Sequence, residues 1–141
     1  MKTMRTIKFR GKLLDNGEWV YGDLEIRRID NRCFIHTYND DGIYFRQFEV
    51  IPKTVGQFTG IKDGKGTEIY KYDIIEVTLR HNKETVSTYI AVVDQKEGAF
   101  GFKNKQGFCP FYGQIHENSR VCGNNHENPG HMEGGEKGKV F

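Results

Sequence analysis

Long apolar stretches are absent from the sequence, and so is a strong net charge. No apolar run approaches the roughly 20 residues that a membrane-crossing helix requires, and the opening segment, MKTMRTIKFRGK, lacks the apolar stretch of a signal peptide. The 21 Lys and Arg side chains nearly balance the 19 Asp and Glu side chains, so the formal charge of +2 gives no general attraction to polyanions. We therefore expect a cytoplasmic protein without a membrane partner.

Cysteine, proline and helical periodicity are also scarce. The three cysteines, Cys33, Cys109 and Cys122, form an odd and widely spaced set, unlike the dense even sets that staple small secreted domains. We expect them to be reduced thiols. The chain has three prolines and no long window of helical periodicity, so strands must form most of the fold.

Glycine and aromatic residues are well represented, and their positions predict strands joined by tight turns. There are 17 glycines, and they belong to DG, NG and GxG turn signals that recur about every ten residues. Runs of β-branched and aromatic residues between these signals predict strands at 33–38, 43–51, 55–59, 73–80, 85–94, 99–103 and 108–115. Turns are expected at 39–42, 63–66, 81–84 and 104–107, with a short helical turn at 112–118.

The clearest predicted element is a hairpin over residues 7–26. Asn16 and Gly17 form a preferred two-residue turn in which both residues adopt positive φ, and such a turn fixes the register. Pairing outward from it places three apolar pairs on a buried face: Leu13 with Val20, Phe9 with Leu24, and Ile7 with Ile26. The other face pairs Leu14 with Trp19, Lys12 with Tyr21, Arg10 with Asp23, and Lys8 with Glu25. The basic row of Lys8, Arg10 and Lys12 is therefore expected to be a solvated face balanced by acids.

The domain organisation follows from length and composition. A chain of 141 residues fits one domain, or two small β modules that share a core. We predict an all-β, mainly antiparallel fold with a hairpin and meander region at 1–60 and a small SH3-like barrel portion at 61–123. The barrel is indicated by short strands bent around glycine at 73–77, 91–93 and 99–102. A flexible, polar, Gly-rich tail is expected at 124–141, because its composition cannot bury enough surface to offset its own ordering.

Several segments together resemble one family. They are IKFRGK at 7–12, NGEWVYGDL at 16–24, TVGQFTGIKD at 54–63, GKG at 64–66, EIY at 68–70, DII at 73–75, GN at 123–124 and ENP at 127–129. In this pattern the chain resembles the YopX family, known from bacteriophages and prophages. The resemblance implies an all-β fold with a barrel-like portion, a phage or prophage origin in a bacterial host cell, and self-assembly. It implies no activity, because the function of the family is unknown.

Two departures from the family pattern are local. Lys71 and Tyr72 stand where the family usually has an acidic residue and glycine, and Asn125 and His126 replace an apolar and aromatic pair.

Metal and phosphate motifs are incomplete, so no cofactor and no metal are predicted. Residues 60–66 lack the spacing of a P-loop. Residues 39–42 resemble a calcium loop, but Phe48 stands where that loop needs Glu. A zinc set of Cys122, His126 and His131, with Cys109 or His116, has no C-x-x-C pair to anchor it. Cys33 and His36 are three apart on a strand and so face opposite sides.

The carboxylates have structural explanations, so no catalytic residue is predicted. Asp23 and Glu25 pair across the hairpin, while Asp15, Asp41 and Asp63 belong to turns. Asp73 is the carboxylate that this reasoning explains least.

A nucleic-acid-binding site is predicted at residues 101–112. Phe102, Phe108 and Phe111 alternate there with Lys103 and Lys105, and aromatic faces stack bases while cations meet phosphates. The candidate site residues are Phe102, Lys103, Lys105 and Phe108. The competing interpretation is that these aromatics belong to the core.

Three functions remain open from the sequence. The first is a non-enzymatic accessory module that self-associates through exposed strand edges and engages a host or phage macromolecule. The second is a nucleic-acid-binding β-barrel. The third is an enzyme whose site forms only at a subunit interface and therefore leaves no linear motif.

Overall fold

The computed structural model describes residues 6–80, 82–111 and 118–127. In these residues the chain forms eleven strands and a 3₁₀-helix at Pro52–Thr54. The strands are β1 (Phe9–Lys12), β2 (Trp19–Arg27), β3 (Arg32–Tyr38), β4 (Tyr44–Val50), β5 (Gly56–Lys62), β6 (Glu68–Tyr70), β7 (Asp73–Arg80), β8 (Val86–Lys96), β9 (Ala99–Asn104), β10 (Gly107–Pro110) and β11 (Ser119–Asn124). No helix in this part of the chain is long and apolar enough to cross a membrane.

The strands form two sheets with antiparallel pairing, which confirms the predicted all-β, mainly antiparallel fold. The first sheet has the order β4-β3-β2-β1-β5-β6, and the second has the order β10-β9-β8-β7-β11. The chain divides into two compact units, Met1–Gly60 and Ile61–Phe141. The SH3-like barrel portion is not confirmed, because within the described residues the second sheet is open and has β10 and β11 at its edges.

In the first unit, strands β1 to β4 enclose a small apolar core. Buried Cys33, Ile35 and Val50 are packed against by half-buried Phe9, Leu13, Val20, Leu24 and Val55. A bridge between Leu13 and Val50 joins the end of β1 to the end of β4. Gly11 permits this approach, since a Cβ there would lie only 2.9 Å from the Val50 Cβ.

The predicted register of the first hairpin is wrong by two residues. Phe9 lies opposite Gly22, Arg10 opposite Tyr21, and Lys12 opposite Trp19. The turn explains the shift, because Gly17 has a φ of 74° but Asn16 does not adopt positive φ. The hairpin therefore closes one step further out, where the Leu13 N–H donates to the Glu18 carbonyl at 2.8 Å.

A two-residue shift leaves each side chain on its predicted face but changes its neighbours. The predicted core side chains Phe9, Leu13, Val20 and Leu24 do pack against the core of the first unit. Ile7 and Ile26 were also predicted to be buried, and they are 64% and 55% exposed. The apolar face of the hairpin is thus half-buried from the turn as far as Phe9 and Leu24, and it is exposed at the open end.

The second unit has its core on one face of the second sheet. Ile69, Ile75, Val77, Tyr89, Ala91, Val93 and Phe102 form the buried cluster. On β8, Tyr89, Ala91 and Val93 belong to this cluster, while on the other face Ile90 is buried and Val92 and Asp94 are half-buried. The opposite face is thus covered at Ile90 and partly open at Val92, Asp94 and the exposed Lys103.

Strands β6 and β11 were not predicted. The predicted polar tail begins at Asn124, yet Asn124 is the last residue of β11 and is buried. Its side-chain oxygen accepts hydrogen bonds from the backbone N–H groups of His126 and Glu127. The rest of the tail at 128–141, and residues 112–117 of the predicted helical turn, lie outside the described residues.

Candidate binding surface on the second sheet

The face of the second sheet opposite its core is formed by alternate residues of three strands. Val93 pairs with Phe102 in the core, so the neighbouring pairs turn to the other face: Val92 with Lys103, and Asp94 with Gly101. Strand β10 adds Phe108, which lies opposite Lys103. We call this face of β8, β9 and β10 the Lys103 surface.

Three of the four predicted nucleic-acid-binding residues are found at the Lys103 surface. Lys103 and Lys105 are exposed, and Phe108 is half-buried. Phe102 instead has no exposed area, and its ring packs edge-on against Phe111 with centroids 4.6 Å apart. Phe102 is therefore a core residue, as the competing interpretation held. A base could stack on its ring only if the core opened.

Phe108 is held in place by the glycine beside it. A Cβ at Gly101 would lie 2.7 Å from the Phe108 Cζ and 2.8 Å from the Pro110 Cα. The ring thus occupies the space above Gly101. This contact partly buries Phe108 although β10 is an edge strand. Because Phe108 is only half-buried, part of its surface is open to a ligand.

Two depressions open on the Lys103 surface. One, of about 290 Å³, is lined by Asp94, Gln95, Lys96, Lys103, Gly107 and Phe108. The other, of about 350 Å³, is lined by Tyr72, Val92, Asp94, Lys103, Asn104, Lys105 and Asn125. The Lys103 ammonium lies 3.7 Å from the Asp94 carboxylate, and the Lys103 side chain is 61% exposed. Such an exposed pair is weak, so Lys103 can turn toward a phosphate at little cost.

Sequence reasoning missed Tyr72 and Asn125, which line the larger depression. Tyr72 lies in the turn between β6 and β7 with a φ of 77°, and its N–H donates to the Val93 carbonyl at 2.7 Å. Its carbonyl accepts from the Asn125 N–H at 2.8 Å. These contacts join segments that are far apart in sequence, and the only available signal was the departure of these positions from the family pattern.

Asp73 and Asp63 are buried and support the backbone. Asp73 is 2% exposed, and its carboxylate accepts a hydrogen bond from the Tyr70 N–H at 2.8 Å. Asp63 accepts from the N–H groups of Lys65, Thr67 and Val121, at 2.8, 2.9 and 2.8 Å. Burial alone would raise the pKa of Asp63, but these three hydrogen bonds and the nearby Lys65 charge hold it below its usual value.

Burial disfavours the thiolate form of all three cysteines. Burial raises the pKa of Cys33, of Cys109 and of Cys122, and the thiolate is the reactive form. The Cys122 thiol donates to the Ile74 carbonyl at 3.5 Å. Among the residues that the structure describes, no three His, Cys, Asp or Glu side chains come close enough to hold a metal ion. His116 and His131 lie outside those residues.

The basic row of the first unit has aromatic neighbours, and the register places Arg10 opposite Tyr21 where Asp23 was predicted. The Arg10 guanidinium lies 4.4 Å, and the Lys12 ammonium 5.4 Å, from the centre of the Trp19 ring. Asp23 instead accepts from the Tyr38 hydroxyl, and Glu25 contacts the His36 ring at 2.7 Å. Arg10 is only 7% exposed, so it contributes to the packing of this face.

One depression of the first unit lies beside strand β4. It has a volume of about 670 Å³ and is lined by Leu13, Leu14, Asp15, Asn16, Arg46, Gln47, Phe48 and Glu49. Strand β4 is the last strand of its sheet, so the depression follows a sheet edge.

The fold and its surfaces define an all-β protein with two antiparallel sheets, whose open faces carry cations and aromatic rings. A family model described as YopX protein matches residues 8–133, and the chain belongs to the YopX family. A solved structure, the crystal structure of protein EF1440 from Enterococcus faecalis, is similar with a TM-score of 0.54. It is 19% identical over 89% of this chain and 97% of that chain, which shows a shared fold. No curated protein matches the chain.

Proposed function

We propose that this chain is a phage or prophage accessory protein of the bacterial cytoplasm with a non-enzymatic binding role. It self-associates through a sheet edge and acts by engaging a host or phage macromolecule. The observation that supports this proposal best is the 670 Å³ depression along β4, the last strand of the first sheet. A sheet edge of this kind accepts an added strand through main-chain hydrogen bonds.

The backbone of β4 is oriented for such pairing. The Leu14 N–H donates to the Glu49 carbonyl at 3.1 Å, so the backbone groups of Glu49 point away from β3. Because these directions alternate along a strand, the N–H and carbonyl of Gln47 point the same way. Leu13, Leu14 and Phe48 supply apolar contacts next to this edge. Leu14 already occupies the Glu49 carbonyl, so a second copy of the chain would add hydrogen bonds at Gln47 and buried area beside it.

Replacing Gln47 with proline is expected to reduce self-association. Proline removes the outward N–H while keeping the inward hydrogen bonds of β4, and proline is tolerated at sheet edges. We expect sedimentation to show a shift from oligomer to monomer of at least tenfold in the dissociation constant. Gln47→Thr keeps the N–H and is the matched control. A wild-type chain that is monomeric at all concentrations, or an unchanged Gln47→Pro oligomer, contradicts this use of β4.

The buried acids support a binding role over catalysis. A general acid or base must reach a substrate, and the carboxylates of Asp63 and Asp73 are instead occupied by backbone N–H groups. The enzyme alternative would require other acids to be brought together by a second subunit. A turnover assay that succeeds with the assembled protein would favour that alternative.

The second candidate is binding of single-stranded nucleic acid at the Lys103 surface. The specific observation is that exposed Lys103 and half-buried Phe108 lie directly opposite each other, with exposed Lys105 in the turn that joins their strands. Aromatic rings stack on bases, and ammonium groups neutralise phosphates. The exposure of these side chains lets them meet a flexible strand without rearrangement of the core.

Removing Lys103 and Lys105 together is expected to weaken oligonucleotide binding and its dependence on salt. Each phosphate contact contributes about 0.7 to the magnitude of the slope of log affinity against log salt for single strands. The slope of the double alanine variant should therefore be smaller in magnitude by about 1.4. Fluorescence anisotropy with a labelled oligonucleotide measures this slope. A double variant of Lys53 and Lys83, which are also exposed, removes the same charge elsewhere. Equal slopes in both variants would show that binding, if present, is not at this surface.

A further inference from the structure

Tyr72 has a backbone conformation that a tyrosine rarely adopts. Its φ of 77° lies in the left-handed region, which is strained for a bulky side chain. Hydrogen bonds to Val93 and from Asn125 fix the backbone there. Glycine would meet this backbone requirement without strain, so the ring of Tyr72 needs a separate explanation.

The ring contributes to a depression that also holds cations and an amide. Tyr72 lines the 350 Å³ depression together with Lys103, Lys105 and Asn125, while Val92 adds apolar surface. The ring makes a T-shaped contact with His126, with centroids 4.9 Å apart and planes at 74°, and the Lys71 ammonium lies over the ring, 4.9 Å from its centre. Lys71 has a long, flexible side chain, so a planar ligand can displace its ammonium from that face of the ring.

We propose that this depression holds one unpaired nucleotide of a single-stranded nucleic acid. The base stacks on the Tyr72 ring, the exposed Asn125 amide meets the edge of the base, and Lys103 and Lys105 meet the phosphate. This inference rests on the nucleic-acid candidate under the proposed function, and it names the residues that hold a base. The volume lies at the lower end of small-ligand pockets, which run from about 300 to 1,000 Å³, so it suits a single nucleotide.

Asp94 sets the direction in which the nucleotide lies. Its carboxylate lines the same depression and contacts Lys103 at 3.7 Å. A phosphate placed beside Asp94 would be repelled, so the phosphate lies toward Lys105, the base lies toward Tyr72, and Lys103 turns away from Asp94 to reach the phosphate. Phe108 on β10 lies opposite Lys103 on β9 and can stack the next base along the nucleic-acid strand.

Three substitutions of Tyr72 test the stacking role. Tyr72→Phe keeps the ring, Tyr72→Leu keeps the backbone strain without the ring, and Tyr72→Gly removes both. With a labelled oligothymidylate of eight nucleotides at low salt, we expect Phe to bind like the wild type and Leu and Gly to bind roughly tenfold more weakly. We also expect Tyr72→Gly to melt no lower than Tyr72→Leu, because glycine relieves the strained φ.

The outcomes separate this inference from the proposal on which it rests. If the wild type binds and Tyr72→Leu binds equally well, the nucleotide pocket is wrong although nucleic-acid binding stands. If the wild type does not bind at low salt, both are wrong. Photo-crosslinking of the wild-type protein to an oligonucleotide with 5-iodouracil gives a test without substitution. A crosslink at Tyr72 supports the pocket, and crosslinks found only elsewhere overturn it.

Discussion

Replacing Asp63 with alanine is expected to lower the free energy of unfolding by about 3 kcal/mol or more, since it removes a charged acceptor from three backbone N–H groups. Asp63 is 6% exposed, so water cannot substitute fully for its oxygens. Its Oδ1 accepts from Lys65 and Thr67 within the turn after β5, while its Oδ2 accepts from Val121 on β11. Chemical denaturation of the wild type and the alanine variant measures the difference.

Asparagine at position 63 separates the two roles of this carboxylate. It keeps an oxygen for the turn but presents an amide to the Val121 N–H, which needs an acceptor. We expect Asp63→Asn to lose less stability than Asp63→Ala and to increase amide hydrogen exchange mainly at β11. Equal losses in the two variants would show that the oxygen kept for the turn contributes little, whereas an Asp63→Asn variant as stable as the wild type would show that the link to β11 contributes little.

The contribution of Asp63 should also depend on pH. Its pKa is lower in the folded chain than its usual value, because the hydrogen bonds from Val121, Thr67 and Lys65 outweigh the effect of burial. Its stabilisation is therefore fully present above the ordinary Asp pKa, about 3.9, and is lost as the pH falls from there toward the folded pKa. The stability gap between the wild type and Asp63→Asn should be constant near neutral pH and narrow below about pH 4. A gap that widens on acidification would contradict this sign.

Strands with one covered face were predictable from local patterns. The prediction of 73–80 agrees with β7, in which apolar Ile75 and Val77 belong to the core. The turn predicted at 104–107 also joins β9 to β10, and so it brought Lys103 opposite Phe108. Both predictions rest on neighbours within a few residues, where periodicity and turn chemistry are strong signals.

The unpredicted strands depend on partners that are distant in sequence. Strand β11 contains Cys122 and Gly123 and has little strand character of its own. It pairs with β7, more than forty residues earlier, as in the pairing of Ser119 with Val77. Strand β6 has only three residues. Local propensity carries little information about such elements, because tertiary pairing determines them.

The candidate site shows the same division. An alternating local pattern predicted Lys103, Lys105 and Phe108. The same pattern also included Phe102, which is buried in the core. Tyr72 and Asn125 join the site only through the contact between the turn before β7 and the residue after β11. A pattern of charges and rings cannot distinguish the two faces of a strand until the covered face is known.

Replacing Gly22 with alanine is expected to destabilise the first unit by about 3 kcal/mol, because a Cβ at this position would overlap the backbone of β3. The Cβ would lie 3.0 Å from the carbonyl carbon of His36, nearer still to its oxygen, and 3.2 Å from the Ile35 Cγ2. Backbone atoms of a paired strand cannot move aside as a flexible side chain can. Gly22 thus allows β2 and β3 to approach closely beside the buried Ile35.

Gly17→Ala is the control for this prediction. Gly17 has a φ of 74° and no atom within 4 Å of its Cβ position, so alanine there adds backbone strain without a clash. We expect a loss of about 1 kcal/mol for Gly17→Ala, well below that of Gly22→Ala. Denaturant titrations followed by Trp19 fluorescence report on the unit that contains both glycines. If Gly22→Ala were as stable as Gly17→Ala, the close approach of β2 and β3 would not be a requirement of the fold, and a side chain could occupy that position without separating the strands.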